Sequence, residues 1–140
     1  MKVVLVSGGF DPIHSGHIAH FKAAKELGDI LIVGCNSDSW LTRKKGKPFM
    51  PIRERMCIIR ELACVDSVVR FNDDTDSSID LINKTLKLFD NVIFANGGDR
   101  TKDNIPEMDA FDKDPRVSFA FGVGGDDKKN SSSWILSQWT

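Results

Sequence analysis

The chain has no apolar run near the ~20 residues that a membrane span requires. Its longest are short stretches such as KVVLVS (residues 2–7) and DILIVGC (residues 29–35), so no membrane role is expected. It also lacks an excess of charge: 19 Lys and Arg against 20 Asp and Glu leave a formal net charge of -1. That balance argues against a protein whose main task is gripping a nucleic-acid backbone, while leaving room for a small basic pocket. Cysteine is scarce. Cys35, Cys57 and Cys64 are odd in number and form no C-x-x-C pair, so neither a disulfide framework nor a zinc site is indicated. Each lies beside apolar residues and is expected to be a buried thiol. MKVVLVSGG at the start has no long apolar stretch and no small-residue cleavage site, which makes a cytoplasmic location the expectation. No internal repeat or low-complexity tract interrupts the pattern.

What the chain does have is a regular alternation. At 140 residues, 41% hydrophobic and 28% charged, it has the length and make-up of one soluble domain, taken as residues 1–140. β-rich runs over residues 2–7, 29–35, 65–71, 91–96 and 116–121 read as strands. Helical spacing is read over residues 15–27, 51–63, 77–89 and 131–139, with Gly28 as a stop and Pro51 in a first turn. Residues 36–50 carry Arg43, Lys44, Lys45 and Lys47 and read as a basic loop; residues 99–115 read as a long polar loop. Strands that alternate with helices through short connections imply an α/β fold. We expect a Rossmann-like, doubly wound sheet of about five parallel strands. Ligands of such sheets bind beyond the carboxyl ends of the strands, where nearly all the unusual chemistry of this chain is gathered.

The stretch GGFDPIHSGH (residues 8–17) leaves the first of those ends. Gly8 and Gly9 allow close approach of backbone to a ligand. Ser15 is the expected helix cap, with His14 just before it and His17 in the first turn. Unsatisfied N–H groups and the positive end of the helix dipole make such a terminus an anion site, to which two imidazoles add donors even when neutral. The stretch is not a Walker A loop, because the Gly-Lys-Ser/Thr ending is missing. His-x-x-His could suggest a metal, but no third ligand is evident and none is expected. His20 is rotated roughly 120° from His14 on a helix of 3.6 residues per turn and is read as structural.

G-x-F-D-x-x-H-x-G-H at the first strand–helix junction resembles the signature of the HxGH nucleotidyltransferases, specifically the cytidylyltransferase-like group. That group includes glycerol-3-phosphate cytidylyltransferase and the ADP-heptose-forming adenylyltransferase. The similarity continues through AKELGDILIVGCNSD, a basic loop, PIRERMCIIRELACVDSVVRF and a Gly-Gly-Asp after the fourth strand. The resemblance implies that His14 and His17 hold the nucleotide's phosphates and stabilise the transition state. It places Gly8, Gly9, Phe10 and Asp11 along the nucleotide, and puts Lys44 or Lys45 together with Arg55 on phosphate. Gly98, Asp99 and Arg100 of NGGDR would line the nucleotide as well. Ser131, Ser132 and Ser133, beside Lys128 and Lys129, would face the terminal phosphates. Here the chain departs from the group, reading GGDDKKNSSS where relatives have an Arg-Thr-Glu ahead of the Ser/Thr turn.

The implied reaction moves CMP or AMP from CTP or ATP, accompanied by Mg²⁺, to a phosphorylated sugar or polyol with release of pyrophosphate. Glycerol 3-phosphate and heptose 1-phosphate are examples of such acceptors, and the loop residues Asp74, Asp99 and Asn104 are candidates to read their hydroxyls. The alternatives are a pantetheine-phosphate or NMN type of adenylyltransferase, whose closing motif also carries consecutive Ser/Thr, and a nucleotide-binding module without catalysis. No nucleic acid is implied as a partner. The resemblance also brings self-association as a homodimer into play.

Overall fold

A computed structural model describes residues 1–97, 105–124 and 132–138. Strand β1 (Val3–Gly8) leads into helix α1 (Ser15–Lys25), and β2 (Ile30–Cys35) follows. Helices α2 (Asp38–Lys45) and α3 (Ile52–Arg60) precede β3 (Ser67–Arg70). The chain then alternates through α4 (Ile79–Leu86), β4 (Val92–Ala95), α5 (Pro106–Phe111), β5 (Val117–Ala120) and α6 (Ser132–Ser137). The five strands form one sheet in the order β3-β2-β1-β4-β5, parallel at every pairing. The Rossmann-like α/β expectation therefore holds.

Period-2 alternation explains the layering. Val4 and Val6 of β1 pack with Phe21, Ala24 and Ile59, which are residues of α1 and α3. Val3 and Leu5 point the other way, onto Leu81 and Ile82 of α4 and Phe111 of α5. Both faces of β1 are fully buried, which is why VVLV reads as a continuous apolar run and not as an apolar/polar alternation. The chain builds outward from β1 through β2 to β3, then crosses to the other side of β1 for β4 and β5. The order reverses between β1 and β4, and ligands of such sheets bind beside that switch point, beyond the carboxyl ends of the strands.

Three expectations are corrected. The basic loop of residues 36–50 contains α2, capped by Ser37, whose Oγ accepts from Trp40 N at 3.0 Å, and ended by Gly46 at φ 96°. Arg43, Lys44 and Lys45 occupy its last turn, where cations complement the negative end of the dipole. The long loop of residues 99–115 contains α5, opened by Pro106, whose missing N–H costs nothing at that position. Cys57 is exposed; Cys35 is buried and Cys64 half-buried, and all three are free thiols. Among the described residues, no helix is long and apolar enough to cross a membrane.

Candidate active site

β1 delivers the chain into a tight turn at the carboxyl edge of the sheet. A Cβ on Gly8 would lie 2.9 Å from the Phe10 ring, so only glycine lets that ring fold back beneath the turn. Phe10 adopts φ 52°, which costs a non-glycine residue about 1–2 kcal/mol. Burial offsets that cost: the ring sits edge-on to His17, centroids 5.0 Å apart, and to Phe21 at 5.1 Å. The Asp11–Pro12 peptide that follows is cis.

His14, not Ser15, caps α1. Its backbone is extended (φ -149°, ψ 178°), as a cap requires, one residue earlier than expected. His14 Nδ1 accepts from Gly16 N at 3.1 Å, and His17 Nδ1 accepts from His14 N at 3.2 Å. Two imidazoles thus reproduce the reciprocal logic of a capping box. Their rings stack with centroids 3.8 Å apart and planes 24° from parallel. Because each Nδ1 accepts a backbone N–H, the hydrogen bonds assign the single proton of each neutral ring to Nε2. Burial, and then the neighbouring His14 and His20, push the His17 pKa down to about 3; burial lowers that of His14 as well. The pair is therefore neutral, with an Nε2–H on the edge of each ring away from the cap.

A cleft of about 570 Å³ opens beside this pair at the carboxyl edge of the sheet. Gly8, Gly9, Phe10, Asp11, His14 and His17 all line it. From α2 come Trp40, Lys44 and Lys45. Lys44 Nζ sits 4.8 Å from the centre of the Trp40 ring. Lys45 Nζ donates to Asp11 O at 2.6 Å and pairs with Asp11 Oδ2 at 2.9 Å. The buried Asp11 also accepts from Phe49 N at 2.6 Å and Met50 N at 2.7 Å. One carboxylate thereby fixes the turn after α2 and holds a lysine at the wall of the cleft. Ser132 and Ser133 complete the rim, with Ser132 Oγ donating to Pro12 O at 2.8 Å.

Arg55 has a different task from the phosphate contact expected of it. The residue is 1% exposed and does not line the cleft. Its Nε donates to Met50 O at 3.0 Å, its Nη1 to Gly9 O and Asn36 O at 2.8 Å each, and its Nη2 to Asp38 Oδ1 at 2.7 Å. The guanidinium fork pins together the turn after β1, the end of β2, the start of α2 and the start of α3. Asp73 does similar work at β2, accepting from Ser37 N and Ser37 Oγ at 2.7 Å each and from Asn36 Nδ2 at 3.1 Å. Burial acts to raise its pKa, but the Ser37 and Asn36 donors outweigh it and hold the carboxyl below its ordinary value.

The β4 and β5 side of the cleft is formed by Asn96, Gly97, Val123 and Gly124. His20 also lines it, its Nδ1 2.8 Å from Val123 O, so the structural reading of that residue agrees with a tether between α1 and the turn after β5. Gly98, Asp99, Arg100, Asn104, Lys128, Lys129 and Ser131 lie outside the described residues, and Asp74 is not among the cleft's lining. Sequence reasoning missed Ser7, Trp40, Ser78 and Glu107, all of which line the cleft. Only Ser7 carried a signal, as the last polar residue before the Gly-Gly turn.

The profile of the cytidylyltransferase-like family matches residues 5–109 of the 140-residue chain. The chain belongs to that family. It is 36% identical over 106 residues to the bifunctional protein HldE of Hahella chejuensis, covering 74% of this chain and 21% of that protein. With HldE of Helicobacter pylori strain P12 it shares 46% identity over 76 residues, covering 53% of this chain and 16% of that protein. The chain thus corresponds to about a fifth or less of these relatives. The crystal structure of a lipopolysaccharide core biosynthesis protein from Thermoplasma volcanium superposes with a TM-score of 0.68 at 26% identity, covering 86% of this chain and 95% of that one. These findings place the chain among the nucleotidyltransferases.

Proposed function

We propose that the protein transfers CMP or AMP from the corresponding triphosphate to the phosphate of a sugar or polyol phosphate and releases pyrophosphate. The observation that carries this reading is the stacked pair His14 and His17, both neutral, each with an Nε2–H at the N-terminus of α1 beside a cleft. In the reaction, an oxygen of the acceptor's phosphate forms a bond to the α-phosphorus, and the bond from that phosphorus to the oxygen bridging to the β-phosphate breaks. A phosphomonoester has its second pKa near 6, so the attacking oxygen is already largely ionised at neutral pH and no strong general base is needed. The protein's work is to bring two polyanions together and to stabilise charge growing on the α-phosphoryl and leaving oxygens. The Nε2–H donors of His14 and His17, the α1 dipole, Lys44 and Lys45 suit that task. Neutral donors keep the helix cap intact throughout, which an imidazolium at either position would break.

Mg²⁺ would be carried on the triphosphate, whose oxygens together with water would be its ligands. Both Asp11 oxygens are engaged, by Phe49, Met50 and Lys45, and this suits a cation carried on the substrate. The name of the Thermoplasma relative supports a saccharide-type acceptor. The test is pyrophosphate release from CTP or ATP with Mg²⁺ and a panel of sugar and polyol phosphates, alongside thermal melts. At 100 times its dissociation constant the donor adds ~2.7 kcal/mol and raises the melting temperature by several degrees. Nucleotide stabilisation without pyrophosphate release from any pairing would replace this reading with that of a binding module.

A further inference from the structure

We propose that the part of the cleft formed by Ser7, Ser77, Ser78 and Glu107 is an acceptor wall that reads uncharged hydroxyl groups, with Glu107 as the specificity-determining residue. The inference rests on the transferase reading above. Glu107 is 4% exposed, in the first turn of α5, and its Oε2 accepts from Ser78 N at 2.6 Å. No buried side-chain oxygen among the described residues lacks a partner. Oε1 has none there, so it is not fully enclosed, and Glu107 lines the cleft. Beside it, Ser78 Oγ and Ser7 Oγ are 2.6 Å apart. That contact uses one hydroxyl proton and leaves the other for a ligand.

Of the three carboxylates that line the cleft, Asp11 is paired with Lys45 and Asp76 with Arg43, whereas Glu107 has no ion-pair partner among the described residues. The donors of His14, His17 and Lys44 attract phosphates, while the unpaired carboxylate of Glu107 repels them. A phosphorylated acceptor docking with its phosphate at the histidines turns its remaining atoms toward Glu107. The wall there offers one strong acceptor, Oε1, and one donor, the spare serine proton. A hydroxyl group is both donor and acceptor and matches both; an ammonium group pairs with the carboxylate but leaves the serine proton buried without an acceptor.

Acceptor selectivity and the variant Glu107→Gln test this. Gln keeps an amide oxygen for Ser78 N, so the tie between α5 and α4 survives while the cleft-facing acceptor becomes a donor. Glycerol 3-phosphate and sugar phosphates should be used in preference to phosphoethanolamine, phosphocholine and ethyl phosphate. Glu107→Gln should raise the acceptor KM about tenfold, the loss expected for one charge-assisted hydrogen bond, with the triphosphate KM and the nucleotide-induced melting shift unchanged. Ser7→Ala should move the acceptor KM in the same direction. Equal use of ethyl phosphate, a preference for the amines, or a triphosphate KM that rises as much as the acceptor's would overturn the wall while leaving the transferase reading in place. No turnover of any phosphomonoester would instead defeat the transferase reading, and the wall with it.

Discussion

His17 performs two tasks with two different nitrogens, and they can be separated by substitution. Nδ1 accepts from His14 N at 3.2 Å and belongs to the cap; Nε2–H is the donor assigned to the reacting phosphates. Asn places an acceptor where Nδ1 lies and nothing where Nε2 lies. Gln places an amide N–H near Nε2 and loses the cap. Both variants give up the edge contact with Phe10 and the stack on His14, so that shared cost cancels when the two are compared. A helix cap is worth ~1 kcal/mol, or about 3–4 °C of melting temperature for a domain of this size. A preorganised donor to transition-state charge is worth on the order of 10²–10³ in turnover, about 3–4 kcal/mol of barrier. His17→Asn should therefore melt above His17→Gln by about 3–4 °C while turning over far more slowly. Differential scanning fluorimetry and steady-state pyrophosphate release measure the two quantities independently. Wild-type turnover in His17→Asn would refute the Nε2 assignment. Equal melting temperatures for the two variants would refute the cap.

The contrast between what was and was not legible in the sequence follows the range of the interactions. β1 and β2 announce themselves because their apolar runs are continuous and local. GGFDPIHSGH is readable because the contacts that form its helix cap span two or three residues, although Arg55, Lys45 and Ser132 reach back to the stretch from far along the chain. Helix α2 carried its own boundary signals, Ser37 before it and Gly46 after it, but only Trp40 and Leu41 are apolar between them, too few to show a period. His14 displaces Ser15 as cap because a ring nitrogen can reach backbone that a serine at the next position cannot, a detail of φ and ψ invisible in composition. Glu107 meets Ser78 across 29 residues, and no local pattern marks a carboxylate for that role.

Two further expectations concern protonation and the buried arginine. For His17 the pKa is about 3 in the fold against ~6.5 unfolded, so the unfolded chain takes the proton first and stability falls as pH drops below ~6.5. Urea melts should therefore lose about 2 kcal/mol more between pH 7 and 5 in wild type than in His17→Asn; equal losses would contradict the buried neutral ring. Arg55→Met tests whether that residue is a scaffold or a phosphate ligand. Methionine fills the volume but leaves Gly9 O, Asn36 O, Met50 O and Asp38 without their donor. Removing one partner from such a buried network costs about 3–5 kcal/mol, so the ligand-free protein should melt roughly 10 °C lower. A phosphate ligand would behave in the opposite way, since its loss weakens nucleotide binding and leaves the empty protein as stable as before. An unchanged ligand-free melt with a lost nucleotide shift would thus return Arg55 to the substrate.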